Sequence, residues 1–438
     1  MPRSRSARFF VAWKGKIAPA GWVMLTSLFF TALVGLDTES SISYQAFSLL
    51  ASVLFVAFLC SLFFRGRFSI QRELPRFGTT GLVMAYRVSL TNLGSKDQRG
   101  LTLHEEFGNA QELLDDTIRP LKPSRLGRSF KLVRRPRPLP ARVRVRPQGI
   151  PNLPAHSTVE FEAQLLPGRR GVLVFQSARI ARMDPFGLLR AFRRIDQTQT
   201  VLILPKRYPV PDLQLPGREQ YQLGGVTQAS GIGRSEEFVS LREYRRGDPL
   251  RHIHWRSWAK CGEPIVKEFE DEFFVRHGLV LDTFAGEEED DPEIFEEAVS
   301  LAASFACSLG TQESLLDLMF VGAKAFLFTA GRGVAHTDQL LEILAGARAI
   351  PQADFDSLSS LVFQHAGTLT ACVLVFIHWD DSRRRLVEGL LRLGIPIHVF
   401  LIRGARMGRE VDLGPLQASP HLLRVLRVGS IEADLGRR

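Results

Sequence analysis

The sequence predicts a multidomain membrane protein that contains a two-helix transmembrane hairpin, a β-sandwich-like domain and a doubly wound α/β domain. Three observations support this order: two long apolar runs near the start, short alternating runs after them, and alternating strand-like and helix-like segments in the last third. The chain has 438 residues. Because domains commonly contain about 100–200 residues, several domains are expected.

The two apolar runs, residues 17–36 and 44–64, contain no ionised side chain. Each has about 20 residues, and a helix of that length spans a hydrocarbon core of roughly 30 Å. Contiguous apolarity favours helices over the alternating pattern of barrel strands. We therefore predict a transmembrane helical hairpin over residues 17–64.

Charges flank this hairpin asymmetrically, because cations lie before the first run and after the second, whereas the short connection has only Asp37 and Glu39. The flanking cations are Arg3, Arg5, Arg8, Lys14, Lys16, Arg65, Arg67, Arg72 and Arg76. Basic flanks stay cytoplasmic, so we expect a two-pass protein with residues 1–16 and the C-terminus in the cytoplasm. The alternative is a cleaved signal peptide, but the first run is too long, lacks a small-residue cleavage site and precedes a second span.

Residues 73–205 predict a β-rich, sandwich-like domain. Alternating runs at 82–92, 157–166 and 170–180 are separated by Gly, Pro and Asn, as in antiparallel strands with one buried face. Residues 119–146 interrupt them with a stretch dense in Arg, Lys and Pro that we expect not to pack. This insertion is read as a solvated loop or as a contact for anionic lipid, and nucleic-acid binding is disfavoured because no base-reading motif accompanies it.

Residues 275–438 predict a parallel, doubly wound α/β domain. The expected strands are 277–284, 315–321, 325–330, 370–377 and 396–402, and the expected helices are 292–309, 337–349 and 382–393. In such sheets, ligands bind at the carboxyl ends of the strands, where Asp282 and Asp380 stand. With Thr337 nearby, these oxygen ligands form a candidate Mg²⁺ site.

Between these two domains, residues 206–274 form a predicted linker that contains an unusual segment at 237–270. The segment combines paired charges and aromatic side chains at Arg242, Glu243, Tyr244, Gly247, Asp248, Arg251, Ile253, Trp255 and Lys260. A Gly–Asp turn flanked by Arg lets one carboxylate accept bidentate bonds from a guanidinium, with Tyr244 and Trp255 packed beneath. A structural network is favoured over a partner-docking surface, and the two can coexist.

These residues resemble a bacterial family known as domain of unknown function 58, whose hallmark has the form R-E-Y-x-x-G-D-x-x-R-x-I-x-W. Residues 242–255 match it throughout, although His254 and Lys260 replace residues common in the family. The resemblance extends to the two spans, to RRG at 169–171, to DPFGL at 184–188 and to a following von Willebrand factor A-like domain. It implies a protein of the bacterial cytoplasmic (inner) membrane that partners MoxR-type AAA ATPases in cell-envelope assembly, maturation or stress, without enzymatic activity.

The sequence departs from the von Willebrand factor A-like pattern at the expected metal site. The D-x-S-x-S loop is replaced by residues 282–286, which read DTFAG, so both serine ligands are missing. Because Mg²⁺ demands near-ideal octahedral geometry, a site built on Asp282, Thr337 and Asp380 is degenerate. We expect no cofactor, and Mg²⁺ is not favoured.

A catalytic alternative rests on His252 and His254, which would share one face of a strand and could ligate a metal. No spacing supplies a third ligand, and no nucleophile elbow or phosphate-binding loop occurs. The sequence therefore predicts a non-enzymatic membrane-anchored adaptor or scaffold. The competing class is a metal- or histidine-dependent enzyme at the cytoplasmic membrane face.

Overall fold

The structure, a computed structural model, describes most of the chain. The described residues are 16–34, 41–64, 66–109, 143–211, 238–246, 248, 250–269, 275–285, 292–309, 314–322, 324–331, 337–351, 355–404 and 411–436. The chain divides into two compact units, Met1–Leu204 and Pro205–Arg438. Both contain helices and sheets, which confirms the mixed multidomain organisation predicted from the sequence.

The first unit begins with two apolar helices, α1 (Pro19–Val34) and α2 (Ser41–Leu62). Within α2, the stretch Ile42–Leu62 is long and apolar enough to cross a membrane, and little of it is buried inside the protein. Helix α1 is also apolar, but with 16 residues it is shorter than a typical membrane-spanning helix. The sequence predicted a full-length first span there, at residues 17–36. The predicted loop with Asp37 and Glu39 lies outside the described residues, as do residues 1–15.

Nine strands follow and form two sheets. They are β1 (Phe68–Glu73), β2 (Phe77–Thr79), β3 (Met84–Asn92), β4 (Leu101–Asn109), β5 (Val143–Val145), β6 (Gln148–Gly149), β7 (Thr158–Pro167), β8 (Gly171–Met183) and β9 (Arg190–Leu204). One sheet has the order β1-β3-β7-β5 and the other β2-β9-β8-β4-β6. Their pairs are antiparallel except for β2 with β9.

One apolar core lies between these two sheets. Val88 and Leu90 of β3 belong to the same buried cluster as Phe175 and Ile180 of β8. Side chains alternate across a strand, so every second residue of β3 is buried, as the sequence pattern predicted. The described part of this unit is therefore a two-sheet arrangement around a shared core.

The end of the basic insertion differs from its prediction. Residues 119–142 lie outside the described residues, but Val143–Val145 forms β5 and pairs with β7 at the sheet edge. The alternating V-R-V sequence suits an edge strand, because a β-branched residue flanks each side of an arginine. The segment 119–146 as a whole was expected not to pack, and that expectation was wrong for these last residues.

The second unit contains β10 (Phe238–Glu243), α3 (Trp255–Cys261), β11 (Ile265–Phe269) and then an α/β arrangement. Its elements are β12 (Val275–Leu281), β13 (Phe284–Ala285), α4 (Pro292–Leu309), β14 (Ser314–Val321), β15 (Ala325–Ala330), α5 (Thr337–Gly346), β16 (Ile350–Pro351), α6 (Asp356–Ala366), β17 (Ala371–Phe376), α7 (Asp381–Arg392), β18 (Ile397–Arg403), β19 (Leu423–Arg427) and α8 (Ile431–Leu435). Six strands form one sheet in the order β15-β14-β12-β17-β18-β19.

Helices cover both faces of this sheet. Val399 and Leu401 of β18 belong to the buried cluster that contains residues of α6 and α7. Phe400, which lies between them, meets Phe305 of α4 with ring centroids 4.7 Å apart. Because successive strand residues point to opposite faces, α4 lies across the sheet from α6 and α7.

The sheet is not wholly parallel, contrary to prediction. Strand β15 pairs antiparallel with β14, with Val321 opposite Ala325. A parallel neighbour needs a crossover of a dozen or more residues, whereas only three residues separate these strands. The short connection therefore forces a hairpin at this edge, and the other five strands run parallel.

Candidate functional site

The segment with the paired charges folds as a two-stranded hairpin that carries a short helix, here called the signature hairpin (residues 238–269). Strands β10 and β11 pair antiparallel, with Arg242 opposite Val266 and Glu243 opposite Ile265. Tyr244 N donates to Pro264 O at 2.9 Å and extends the pairing. Ile253, which is buried, forms an additional bridge to Val266.

A bidentate ion pair closes the turn after β10. Arg242 donates from Nη1 to Asp248 Oδ2 at 2.7 Å and from Nη2 to Oδ1 at 2.8 Å. Asp248 Oδ2 also accepts a hydrogen bond from the backbone N of Arg245 at 2.8 Å. The bonds from Arg242 and then from Arg245 lower the pKa of Asp248 from 3.8 to about 2. The carboxylate therefore ties the turn to the strand, as the Arg and Asp spacing predicted.

The other members of the motif separate into interior and exterior residues. Ile253 fills the interior, whereas Trp255 is 64% exposed, so its predicted place beneath the ion pair was wrong. Glu243 and Arg251 are exposed, and Gly247 lies outside the described residues. Only some residues of the motif therefore stabilise the fold, and the others are exposed at the surface.

Helix α3 presents two stacked indoles. Trp255 and Trp258 lie three residues apart, so their side chains share a helix face, and their ring centroids are 5.2 Å apart with planes inclined by 19°. The helix ends at Cys261, and the next residue, Gly262, has a φ of 77°, a left-handed conformation that glycine adopts without strain. Ser257 Oγ and His254 Nδ1, 2.7 Å apart, join the residue before the helix to its first turn.

The same segment of the chain carries several exposed cations. Among the described residues from 243 to 263, the exposed cationic residues are Arg245, Arg246, Arg251, Arg256 and Lys260, and the exposed acidic ones are Glu243 and Glu263. Leu250, which is 67% exposed, adds an aliphatic side chain. We call Leu250, Trp255, the half-buried Trp258 and the five cations the signature surface. Trp258 was not among the predicted site residues, although its i+3 spacing from Trp255 could have indicated it.

The two histidines of the motif are not arranged as a metal site. His252 Nε2 accepts a hydrogen bond from Arg251 Nε at 3.3 Å, while His254 contacts Ser257. Within the described part of the chain, no group of three or more His, Cys, Asp or Glu side chains is arranged to hold a metal ion. The described geometry gives the histidine-dependent alternative no assembled centre.

The carboxyl edge of the six-stranded sheet contains an arginine that the sequence analysis did not consider. Arg383 of α7 donates from Nε and Nη2 to the two carboxylate oxygens of Asp282 and from Nη1 to Asp380. Its guanidinium carbon lies 4.5 Å from the ring centroid of Phe355. Burial would lower the pKa of Arg383, but the charges and hydrogen bonds of Asp282 and then of Asp380 raise it above its usual value.

These contacts do not fit a bound Mg²⁺ ion. Both oxygens of Asp282 accept bonds from Arg383 and from the backbone N of Phe284 and Ile377, so its coordination capacity is used. Burial would raise the pKa of Asp380, yet the bonds and charge of Arg383 lower it. Thr337 begins α5, and no hydrogen bond joins it to either carboxylate within the described residues. A guanidinium stands beside the carboxylates predicted to hold the metal.

Comparison with known proteins supports the resemblance for one part of the chain. Residues 240–367 match the family described as "Protein of unknown function DUF58". The chain is also 28% identical over 192 residues to the uncharacterized protein YeaD of Bacillus subtilis (strain 168). The aligned region covers 43% of this chain. That match spans 45% of the relative, less than half of its length.

Similarity to solved structures is slight. The CARDB domain of the PF1109 protein from Pyrococcus furiosus gives a TM-score of 0.17 at 10% identity, over 32% of this chain and 93% of that one. A PapD-like domain of human CEP192 gives 0.16 at 13% identity, over 31% and 84%. Beta-glucosidase from Listeria innocua gives 0.16 at 9% identity, over 32% and 16%. TM-scores this low carry no argument about function.

Proposed function

We propose that the protein is a non-enzymatic, membrane-anchored adaptor or scaffold that docks a partner protein through the signature surface. The observation that carries this proposal is the stacked pair formed by Trp255, which is 64% exposed, and Trp258, which is half-buried, in a segment with exposed arginines. Interface energy concentrates in Trp, Tyr and Arg side chains. The exposed indole of Trp255 leaves apolar area in water, and a partner that covers it makes that area contribute favourably to binding.

The signature surface is also held in place before binding. Arg242 and Asp248 close the turn through two hydrogen bonds, and Ile253 anchors the chain before α3 against Val266. A surface that is already ordered loses less conformational entropy when it binds. The structural network and the docking role proposed for this segment therefore support each other.

The charge of the signature surface and the family resemblance together indicate what kind of partner binds. Five exposed cations against two exposed carboxylates give the signature surface a positive potential, which favours an acidic patch on the partner. The family resemblance implies a MoxR-type AAA ATPase in cell-envelope assembly, maturation or stress. We adopt that partner class, and the six-stranded sheet with helices on both faces supports the von Willebrand factor A-like assignment.

Membrane anchoring is supported by Ile42–Leu62, which meets the length and composition of a transmembrane helix. We propose a two-pass arrangement in the bacterial inner membrane with both termini cytoplasmic, because cations flank the pair of helices. Contact of residues 119–146 with anionic lipid stays a prediction, since residues 119–142 lie outside the described residues.

The test is an affinity capture of the full-length protein in detergent, with and without ATP, with the captured protein identified by mass spectrometry. We expect the native chain to recover an AAA ATPase and the Trp255→Ala/Trp258→Ala variant to lose it. Phe363→Ala is the matched control, because Phe363 is a partly exposed aromatic residue of α6. Circular dichroism checks that each variant is folded.

A charge-reversal arm separates electrostatic from apolar docking. Arg251→Glu/Arg256→Glu is expected to weaken capture, most strongly at low salt, whereas Lys324→Glu in the β14–β15 turn should not. If the folded double-tryptophan variant still captures the ATPase, the docking site is not the signature surface. Absence of any AAA ATPase under both nucleotide conditions would overturn the partner assignment.

A further inference from the structure

The start of α1 is hydrogen-bonded to the connection between β8 and β9. Ala18 N donates to Leu188 O at 2.9 Å, and Arg190 N donates to Lys16 O at 2.7 Å. Between these bonds, Ile17 forms an antiparallel bridge with Leu189. The residues that lead into α1 therefore pair with the β8–β9 connection through one isolated antiparallel bridge and its two flanking hydrogen bonds.

The DPFGL sequence shapes the part of this connection that meets the helix. Asp184 Oδ1 accepts hydrogen bonds from Leu188 N at 2.7 Å and Leu189 N at 3.0 Å. Gly187 has a φ of 71°, which an L side chain rarely adopts. The turn thus aims Leu188 O at the helix, and a fixed turn explains why an aspartate and a glycine occupy these positions.

Helix and turn approach so closely that only glycine fits at Gly21. A Cβ added there would lie 2.4 Å from Leu188 O, well inside van der Waals contact. This distance shows that the first turn of α1 lies directly on the DPFGL turn.

The end of α2 is held by the same hairpin. Arg193 Nη2 donates to Phe64 O at 2.5 Å, and the guanidinium of Arg182 lies 5.0 Å from the centroid of the Phe64 ring. The β8–β9 hairpin therefore contacts the residues that lead into α1 through its connection, and Phe64, just after α2, through the adjoining ends of its two strands. Wherever these two helix ends meet a bilayer surface, this connection meets it too.

The exposed residues at this place combine apolar and cationic side chains. Phe186 is 50% exposed and Met183 is 43% exposed. Lys16 and Arg193 are exposed, whereas Asp184, the acidic residue of the turn, is buried. An aromatic residue beside cations is the composition that membrane interfaces favour, since the ring enters the headgroup region and the cations meet lipid phosphate.

We propose that the β8–β9 connection is a membrane-interface anchor in which Phe186 enters the headgroup region and Lys16 and Arg193 bind anionic phospholipid. This inference rests on the membrane anchoring proposed above. The hydrogen bonds to both helix ends then hold the β-domain against the bilayer, rather than leaving it on a free tether.

Nitroxide labels on the full-length protein test this placement. The native cysteines Cys60, Cys261, Cys307 and Cys372 are replaced, and one cysteine is returned at Phe186, Leu82 or Phe55. Leu82 is the matched control, because it is an exposed apolar turn residue near the opposite end of the β-domain. Thr80, two residues before Leu82, donates a backbone hydrogen bond from its N to Leu204 O, at the last residue of β9. Strand β9 has 15 residues, so this end lies about 50 Å along the strand from Arg190, where β9 begins beside α1.

Accessibility of each label to oxygen and to a water-soluble nickel complex is measured in nanodiscs of phosphatidylcholine with phosphatidylglycerol. We expect the labels at 55 and 186 to favour oxygen, the second less strongly, and the label at 82 to favour nickel. A label at 186 that matches position 82 while position 55 is in lipid overturns this inference alone. A label at 55 in water overturns the membrane anchoring itself.

A separate experiment tests whether Lys16 and Arg193 bind anionic phospholipid. In nanodiscs of phosphatidylcholine alone, the label at 186 is expected to become more accessible to nickel, and equal accessibility in both lipids would overturn the assignment of Lys16 and Arg193 to lipid phosphate. If the cysteine-free chain does not fold, p-benzoylphenylalanine at 186 or 82 of the otherwise native chain replaces the labels. Photo-crosslinking to phospholipid is then expected at 186 and not at 82, and the reverse would overturn the proposal.

Discussion

Arg383 donates two hydrogen bonds to Asp282, from Nε to Oδ2 at 2.8 Å and from Nη2 to Oδ1 at 3.1 Å. The two residues are 101 positions apart in sequence, and both are buried, with side-chain exposures of 5% and 0%. Asp282 follows β12 at the carboxyl edge of the sheet. The guanidinium supplies there the positive charge that a buried carboxylate requires.

Removal of Arg383 should destabilise the protein strongly. Arg383→Ala leaves the carboxylate of Asp282 buried and unpaired, and loss of one partner of a buried ion pair costs about 3–5 kcal/mol. Denaturant unfolding of the full-length protein measures the change. The control is Arg385→Ala in the same helix, because Arg385 is exposed and should change stability by less than about 0.5 kcal/mol.

Divalent cations provide a sharper readout of the same contact. The Tm of the native protein should be equal in Mg²⁺ and in chelator, because Arg383 already neutralises Asp282 and Asp380. The Arg383→Ala variant should gain Tm on addition of a divalent cation or methylguanidinium, since a ligand that binds only the folded state stabilises it. A native Tm that rises with Mg²⁺ would contradict this assignment.

A second buried ion pair should stabilise the β-domain in the same manner. Arg72 and Glu105 have side-chain exposures of 0% and 1% and form two hydrogen bonds, at 2.9 and 2.8 Å. We expect Arg72→Met to cost about 3–5 kcal/mol, and Glu105→Leu added to it to recover much of that loss. Chemical denaturation with a probe in the β-domain measures both changes.

The exposed pair of Arg87 and Glu73 in the same domain is the control for that experiment. Its side chains are 62% and 70% exposed. Exposed pairs contribute about 0–1 kcal/mol, so Arg87→Met should have a small effect. Equal losses at Arg72 and Arg87 would show that burial does not decide the contribution.

The turn closed by Asp248 should loosen in acid. Because the folded-state pKa is lowered from 3.8 to about 2, ionised Asp248 stabilises the turn fully above pH 4. That contribution is lost as the pH falls from about 4 through about 2. Hydrogen exchange of the peptide that contains Arg245 N should be slower in the native chain than in Asp248→Asn at pH 5, and the difference should shrink below pH 4. A constant difference down to pH 2 would contradict the ion-pair assignment.

Local patterns in the sequence were sufficient for the elements with strong periodicity. The helix predicted at 292–309 is α4 within the described bounds, and alternation located β3, β7 and β8. The pairing of β15 was missed because its direction depends on the length of the connection rather than on the strand's composition. The helix Asp356–Ala366 was also missed, since it follows a segment without a clear start signal.

The candidate site was predictable where partners are close in sequence. Arg242 and Asp248 are six positions apart, so a turn brings them together and the spacing indicated the ion pair. Arg383 and Asp282 meet only because β12 and α7 are joined through the sheet, which no local pattern encodes. Trp255 was expected beneath the turn, and its exposure depends on the direction in which α3 leaves the hairpin.

Replacement of His252 and His254 separates the adaptor from a histidine-dependent enzyme. His252→Ala/His254→Ala removes both imidazoles but leaves Trp255, Trp258 and the ion pair of the turn, so an adaptor should keep its captured partner. His254 contacts Ser257 within hydrogen-bonding distance, so a modest loss of stability of about 0.5–1.5 kcal/mol is expected. Capture of the AAA ATPase by the double variant, compared with Ser257→Ala as the control for that bond, is the measurement. A folded variant that loses capture while Ser257→Ala retains it would assign the imidazoles a direct role in partner binding.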